Sequence, residues 1–229
     1  MAAPQQTAIV IGKYRLAGRP AQIVLLALLA GAIAWIAYLR PSLSNWPVWV
    51  SMAGWVAFTA YWGAAAKNSA EAKRSESAGS RRVHEILVNV ALLLLFVPVP
   101  GLRQSFLPHT FARVADGLTI QAAFFGLAVW ARLHLGRNWS GRIEIKVEHE
   151  LIRSGPYRIL RHPIYTAMLG MYVGTAVTVN QAHALLGVAM VMFAYWRKIR
   201  MEEANLRSAF GPRYEEYRRA TWSLIPGVY

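Results

Sequence analysis

The sequence predicts an all-α membrane protein, a polytopic helical bundle of about six transmembrane helices with a cytoplasmic loop and a C-terminal amphipathic helix. Three observations predict it. Of the 229 residues 55% are hydrophobic and only 16% are charged, whereas a soluble domain carries about 25% charged residues. Six apolar segments approach the roughly 20 residues a helix needs to cross a hydrocarbon core. The basic residues gather in alternate connections between those segments, as in a chain threaded through an anionic membrane.

The residues ahead of the first segment are polar and basic, as in a secretory leader. Ala32-Ile33-Ala34 mimics a cleavage site, but Trp35-Ile36 continues the apolar run, so 21–39 reads as an uncleaved span. The second span covers 46–66, and Trp46, Trp49 and Trp62, with Tyr38 and Trp130, lie near segment ends where aromatic belts form. Residues 67–82, rich in Ser and charge, read as a solvated cytoplasmic loop. The third span, 83–99, runs into Pro98-Val99-Pro100-Gly101, a stop because Pro cannot continue the backbone ladder. The fourth covers 114–135, the fifth 163–181 and the sixth 183–198. Only Asn180-Gln181 separates the last two, which therefore read as a tight hairpin.

Of the 25 Lys and Arg, all but Arg40, Arg103 and Arg113 fall on one side of this plan, which puts both termini in the cytoplasm and requires an even number of spans. The same distribution explains the net charge of +14 through anionic lipid, and no nucleic-acid partner is expected. With no cysteine there is no disulfide, thiol nucleophile or thiolate metal site. His84, His109, His134 and His183 are scattered at segment ends without metal-ligand spacing, so no metal is expected. The division that matters falls near residue 132. Residues 1–131 form an N-terminal transmembrane scaffold of four spans, and 132–229 form a catalytic region with the cytoplasmic loop, the hairpin and the C-terminal helix.

Chemistry concentrates in that second part. The connection 132–165 is far longer than a helix–helix turn needs, and loops beyond about 12–15 residues in a compact domain are usually functional or disordered. Its apolar punctuation (Trp139, Ile143, Ile145, Val147, Leu151, Ile152) argues for an ordered loop. Gly155-Pro156 fits a turn, and Pro163 suits the first turn of a helix. Arg161 and His162 then stand at the helix N-terminus, where free backbone N–H groups favour an anion. Beyond the sixth span, Glu202 and Glu203 are adjacent and point about 100° apart, so only one can face a given neighbour. Met201, Leu206, Phe210, Tyr214 and Tyr217 recur at roughly helical spacing and make this stretch amphipathic.

Plainer explanations exist for each cluster. Arg161 and His162 would also serve as a basic flank on lipid headgroups, and Glu203 pairs at i,i+4 with Arg207 on a simple helix surface. Asn89, Asp116 and Gln121 satisfy neighbouring helices in most membrane bundles, and Gly170 with Gly174 is the small-residue pattern of close helix packing.

Taken together, the C-terminal hundred residues resemble the isoprenylcysteine carboxyl methyltransferase family of integral membrane enzymes, related to the phospholipid N-methyltransferases. The resemblance rests on His149-Glu150-Leu151-Ile152, Gly155-Pro156-Tyr157 and Arg161-His162-Pro163-x-Tyr165. It continues through Glu202-Glu203-x-x-Leu206-x-x-x-Phe210-Gly211-x-x-Tyr214-x-x-Tyr217 to Leu224-Ile225-Pro226. It implies S-adenosyl-L-methionine as methyl donor, with Gly155, Tyr157, His162, Tyr165, Glu202 and Glu203 as cofactor-binding residues. Arg161, Arg200 and Glu203 are the catalytic candidates and Arg207 the substrate-binding one; the choice among the arginines stays open. The acceptor it implies is a lipophilic small molecule or prenylated chain reached from membrane lipid, bearing a carboxylate, a thiol or an amine. A membrane NADPH-dependent reductase of related fold is the alternative.

Overall fold

A computed structural model describes residues 46–65, 77–136 and 151–228 in full, together with the backbone of four short strands. The expected span at 21–39 lies outside the described residues, as do His149 and Glu150 of the loop. The described chain is a helical assembly, as expected, with two short ladders added. Strands β1 (Ile9–Ile11) and β2 (Tyr14–Leu16) pair antiparallel, Ile9 opposite Leu16. Strands β3 (Ala72–Ser75) and β4 (Glu144–Lys146) also pair antiparallel, with Ser75 opposite Glu144, and so tie the two long connections together.

Helix α1 spans Trp46–Ala65. Helix α2 (Ala78–Phe96) starts five residues before the expected 83, because the Ser77 hydroxyl accepts from Ser80 N at 3.3 Å and caps the first turn. It ends where Val97 turns extended ahead of Pro98, a residue that disfavours helix before it. Helix α3 (Phe111–Leu135) is capped by Thr110, whose hydroxyl accepts from Arg113 N at 3.1 Å. Helix α4 (Pro163–Val179) opens on proline and closes at Asn180, which takes the left-handed conformation at φ 53°. Helix α5 (Ala182–Phe210) follows directly, so the predicted hairpin step at Asn180-Gln181 is observed. Its 29 residues carry the sixth apolar segment and the twin acids on one uninterrupted rod. Gly211, at φ 52°, breaks that rod, and Pro212 starts the short α6 (Pro212–Arg219).

Packing is pairwise. α4 lies mainly on α3, and α5 on α2, so both site-bearing helices are seated on helices of the N-terminal half. The α3–α4 contact is a backbone-to-backbone approach: a Cβ on Gly174 would stand 2.6 Å from Gln121 N and 2.7 Å from Gly117 O. The small-residue pattern thus serves close packing. Gln121 is buried and bonded across helices, receiving the Ser51 hydroxyl at 2.7 Å and donating to Ser51 O at 2.9 Å. Ser51, Trp55 and Thr175 complete this neutral network. Among the described helices α3 alone is long and apolar enough to cross a membrane by itself; α4 is apolar but shorter.

Candidate active site

The N-terminus of α4 and the twin acids of α5 meet. Arg161 Nε donates to Glu203 Oε1 at 2.9 Å, and His162 Nε2 lies 3.2 Å from the same oxygen. Tyr165, one turn into α4, donates its hydroxyl to Glu202 Oε2 at 2.9 Å. The other imidazole nitrogen, Nδ1, faces Glu202 Oε2 at 3.8 Å. His162 therefore sits between two carboxylates, within hydrogen-bond reach of Glu203 and facing Glu202 across a longer gap. Adjacent glutamates diverge along a helix, and here each finds a different partner from α4. The ring of Tyr165 is sandwiched, stacked on His162 at 5.6 Å and on Tyr195 at 5.1 Å. Tyr195 comes from α5 two helical turns before Glu202, the same face of the rod.

The two acids differ in environment. The Glu203 side chain is 11% exposed and that of Glu202 33%. Burial alone would push the Glu203 carboxyl up, but hydrogen bonds from His162 and Arg161 and their charges outweigh it and hold it down at about 2. Glu203 is thus fixed as an anion and enclosed by its partners. Glu202 has one phenolic hydrogen bond and lone pairs to spare.

A C-terminal strap closes over the turn that leads into α4. Trp222 N donates to Ile159 O at 3.0 Å, Arg161 N to Trp222 O at 2.8 Å and His162 N to Ser223 O at 3.2 Å. Leu160 and Trp222 thereby form a parallel bridge. Arg161 Nη1 donates to Arg218 O at 3.0 Å and to Thr221 O. Thr166 donates to Leu224 O at 2.7 Å, and Tyr217 to Tyr157 O at 2.7 Å. The strap takes up the N–H groups of Arg161 and His162, and Pro163 has none. The first turn of α4 is where the helix's partial positive charge is greatest.

Most of the residues singled out in the sequence lie in or against this corner. Arg161, His162, Tyr165, Glu202 and Glu203 are brought together directly. Arg207 stands at its edge, Nη2 3.8 Å from Glu203 Oε2, with its Nε given to Glu215 at 3.1 Å. Tyr157 is buried, and burial followed by the Glu202 charge raises its hydroxyl above the ordinary phenol range. Gly155 sits at φ 56° with the His134 ring where a side chain would go, so its role is to let the turn pack on α3. Arg200 is not brought in: it is exposed and lies over the Trp196 ring, 5.2 Å from the centroid. Sequence reasoning missed Tyr195 and Thr166. The spacing of seven between Tyr195 and Glu202 was a signal for the first; nothing local marks the second, whose partner is 58 residues away.

Comparison with known proteins agrees with this grouping. The sequence profile of the Isoprenylcysteine carboxyl methyltransferase (ICMT) family matches residues 118–208, which contain all five residues of the corner. Protein-S-isoprenylcysteine O-methyltransferase B of Arabidopsis thaliana is 32% identical over 146 residues, 62% of this chain and 70% of that protein. A probable protein-S-isoprenylcysteine O-methyltransferase of Oryza sativa subsp. indica is 37% identical over 88 residues, 38% of this chain and 46% of that protein. The solved structure of a eukaryotic intramembrane Ras methyltransferase, ICMT, superposes with a TM-score of 0.47 at 18% identity, covering 93% of this chain and 70% of that one. On the extent and identity of the Arabidopsis match, the chain belongs to the isoprenylcysteine carboxyl methyltransferase family.

Proposed function

We propose that the chain is an S-adenosylmethionine-dependent methyltransferase embedded in the membrane, transferring a methyl group to the carboxylate of a lipophilic, isoprenylcysteine-type acceptor. Family membership supports the reaction class, and the acid–base corner supports the donor. The observation that carries the reading is the contrast between the twin acids: Glu203 is closed off by Arg161 and His162, while Glu202, a third exposed, keeps acceptor capacity. The donor set fits the cofactor. Glu202 suits an ammonium or a sulfonium, and the mouth of α4 suits a carboxylate.

In this reading His162, Tyr165 and Glu202 hold the cofactor and Glu203 positions them from behind, with Gly155 and Tyr157 shaping the turn. When bound, S-adenosylmethionine supplies an electrophilic methyl group on a sulfonium. Tyr165 orients the Glu202 carboxylate through its hydroxyl, and its ring, fixed between His162 and Tyr195, excludes water from one side. Glu203 locks the imidazole and Arg161 in place. An acceptor carboxylate is already ionised at neutral pH and needs no general base, so the protein's contribution is positioning and water exclusion. Arg207, half-exposed at the edge of the corner, is the cation placed to receive that carboxylate. Residues 132–229 form the catalytic region on a scaffold of the first 131, in a six-span topology with cytoplasmic termini.

The test is titration of the purified full chain with S-adenosylmethionine, with NADPH as the competing ligand. Saturable binding of S-adenosylmethionine, weakened about tenfold in Glu202→Gln with the melting temperature unchanged, is expected. Binding of NADPH alone, or equal S-adenosylmethionine affinity in the variant, would remove the reading.

A further inference from the structure

The C-terminal strap has a second face, turned away from the twin acids. Between the end of α6 and the strap lies a cleft of about 440 Å³ lined by Arg161, Arg218, Arg219, Trp222 and Ser223, with Ala220 and Thr221 along its wall. Three of these side chains are guanidiniums. Arg161 commits Nε to Glu203 and Nη1 to the Arg218 and Thr221 carbonyls, leaving Nη2 uncommitted among the described residues. Arg218 gives Nε to Glu215 at 3.0 Å. Arg219 is exposed, and among the described residues its side chain has no ion pair or hydrogen bond. Two acids pair with the lining arginines, Glu203 with Arg161 and Glu215 with Arg218, and Glu215 is itself shared with Arg207, so the positive charge is not cancelled.

Ser223 adds an independent observation. The residue is 1% exposed, yet among the described residues its Oγ has no hydrogen-bond partner. Buried hydroxyls are nearly always bonded, so one that lines a basic cleft without a partner points to a missing acceptor. The two carbonyls that would repel an anion, Arg218 O and Thr221 O, are already turned to Arg161. Trp222, 46% exposed, offers an aromatic wall.

We propose that this cleft binds a phosphate monoester, its oxyanion held by Arg161, Arg218, Arg219 and the Ser223 hydroxyl and its organic remainder against Trp222. A planar guanidinium presents paired donors that match phosphate oxygens. Three such groups answered by two acids, Glu203 on Arg161 and Glu215 on Arg218, leave a net positive cleft with Arg219 as its uncompensated cation, which favours an oxyanion. The cleft also exceeds the size of a bare tetrahedral ion. A lipid headgroup and a soluble monoester present the same chemistry here.

The experiment is calorimetric titration of the detergent-purified full chain with inorganic phosphate, phenyl phosphate and short-chain phosphatidic acid, with short-chain phosphatidylcholine as the neutral control. Saturable binding of a phosphate monoester is expected, lowered about tenfold in Arg219→Ala and in Ser223→Ala. Trp222→Ala should weaken phenyl phosphate or phosphatidic acid while sparing inorganic phosphate. Tighter phosphatidic acid assigns the site to a lipid headgroup, and tighter phenyl phosphate to a soluble ligand. Ser223→Ala removes a hydroxyl that bonds nothing among the described residues, so the fold persists and the result is readable. Failure of all three phosphate probes to saturate, or equal affinity in Arg219→Ala, would overturn the proposal. It reads binding alone and stands apart from methyl transfer.

Discussion

An arginine and a histidine stand at each end of helix α4, Arg161 and His162 before it, Arg113 of α3 and His183 of α5 after it, and the two ends treat them differently. At the N-terminal end Arg161 and His162 face carboxylates, Glu203 for both and Glu202 for the histidine. At the C-terminal end Arg113 donates to Val177 O and Thr178 O, and Asn180 exchanges two 2.8 Å bonds with the Leu107 backbone. There His183 Nδ1 meets Leu94 O at 2.7 Å and Nε2 meets the Gln181 side chain at 2.8 Å. Among the described residues Arg113 has no acid partner. A cation on the last carbonyls of a helix complements the dipole and caps the end, and that is a clasp. A cation–acid cluster at the positive end of a helix is not needed to cap it. The identical residue types therefore carry opposite meaning, set by which groups answer them.

The comparison breaks most visibly at Glu203. Glu203→Ala leaves Arg161 without its acid and His162 with only the more distant Glu202, and removing one partner of a buried pair costs roughly 3–5 kcal/mol. The melting temperature should fall steeply, and S-adenosylmethionine binding with it. A variant with unchanged stability would show the cluster to be ornamental. Acid titration sharpens the same contrast. The Glu203 carboxyl is held near 2, below its ordinary 4.5, so its contribution is fully present above about 4.5 and is lost as pH falls through about 2. A shift of that size is on the order of 3 kcal/mol. The clasp at the other end contains no carboxylate, so hydrogen exchange at α4 should open from the N-terminal end first as pH is lowered.

Helix existence was legible because spans of apolar residues leave few other solutions, and the hairpin at Asn180-Gln181 and the stop at Pro98 follow from local chemistry. The corner was legible as two clusters, since ionisable groups bordering apolar runs are costly unless used. That Glu203 rather than Glu202 takes the arginine was not, because it depends on the rotation of α5 against α4, a property of packing. The strap was invisible for the same reason: Thr166 and Leu224 meet across 58 residues. Arg200 misled because proximity to Glu202 along the chain is not proximity across a helix; it points to Trp196 instead.

The seat on which both ends rest is the α3–α4 approach. Gly174→Ala would drive a Cβ against Gln121 N and Gly117 O, backbone atoms that cannot yield, and overpacking of this kind costs about 1–3 kcal/mol. Gly126→Ala on the same α3 meets nothing within 4 Å and should be neutral or stabilising, since alanine favours a helix by roughly 1 kcal/mol over glycine. Thermal denaturation of the pair separates a packing role from general helix propensity. Equal behaviour would mean the close approach is absent. At the clasp, Arg113→Ala should cost about 1–2 kcal/mol through lost bonds to helix carbonyls and leave S-adenosylmethionine affinity unaltered, the opposite split from Glu203→Ala.

The smallest effect tests whether the strap positions the corner or merely covers it. Tyr217→Phe deletes one hydroxyl that donates to Tyr157 O at 2.7 Å and changes nothing else in shape. Burial holds that hydroxyl neutral well past the ordinary phenol range, so it is a donor at every working pH. A single neutral hydrogen bond is worth about 1 kcal/mol, and the melting temperature should move by only that much. If the Gly155–Arg158 turn needs this tether to hold Arg161 and His162 against Glu203, S-adenosylmethionine affinity will fall by more than stability does. Were stability and affinity to fall equally, the strap would be a cover, and the turn would be held by its own packing on His134.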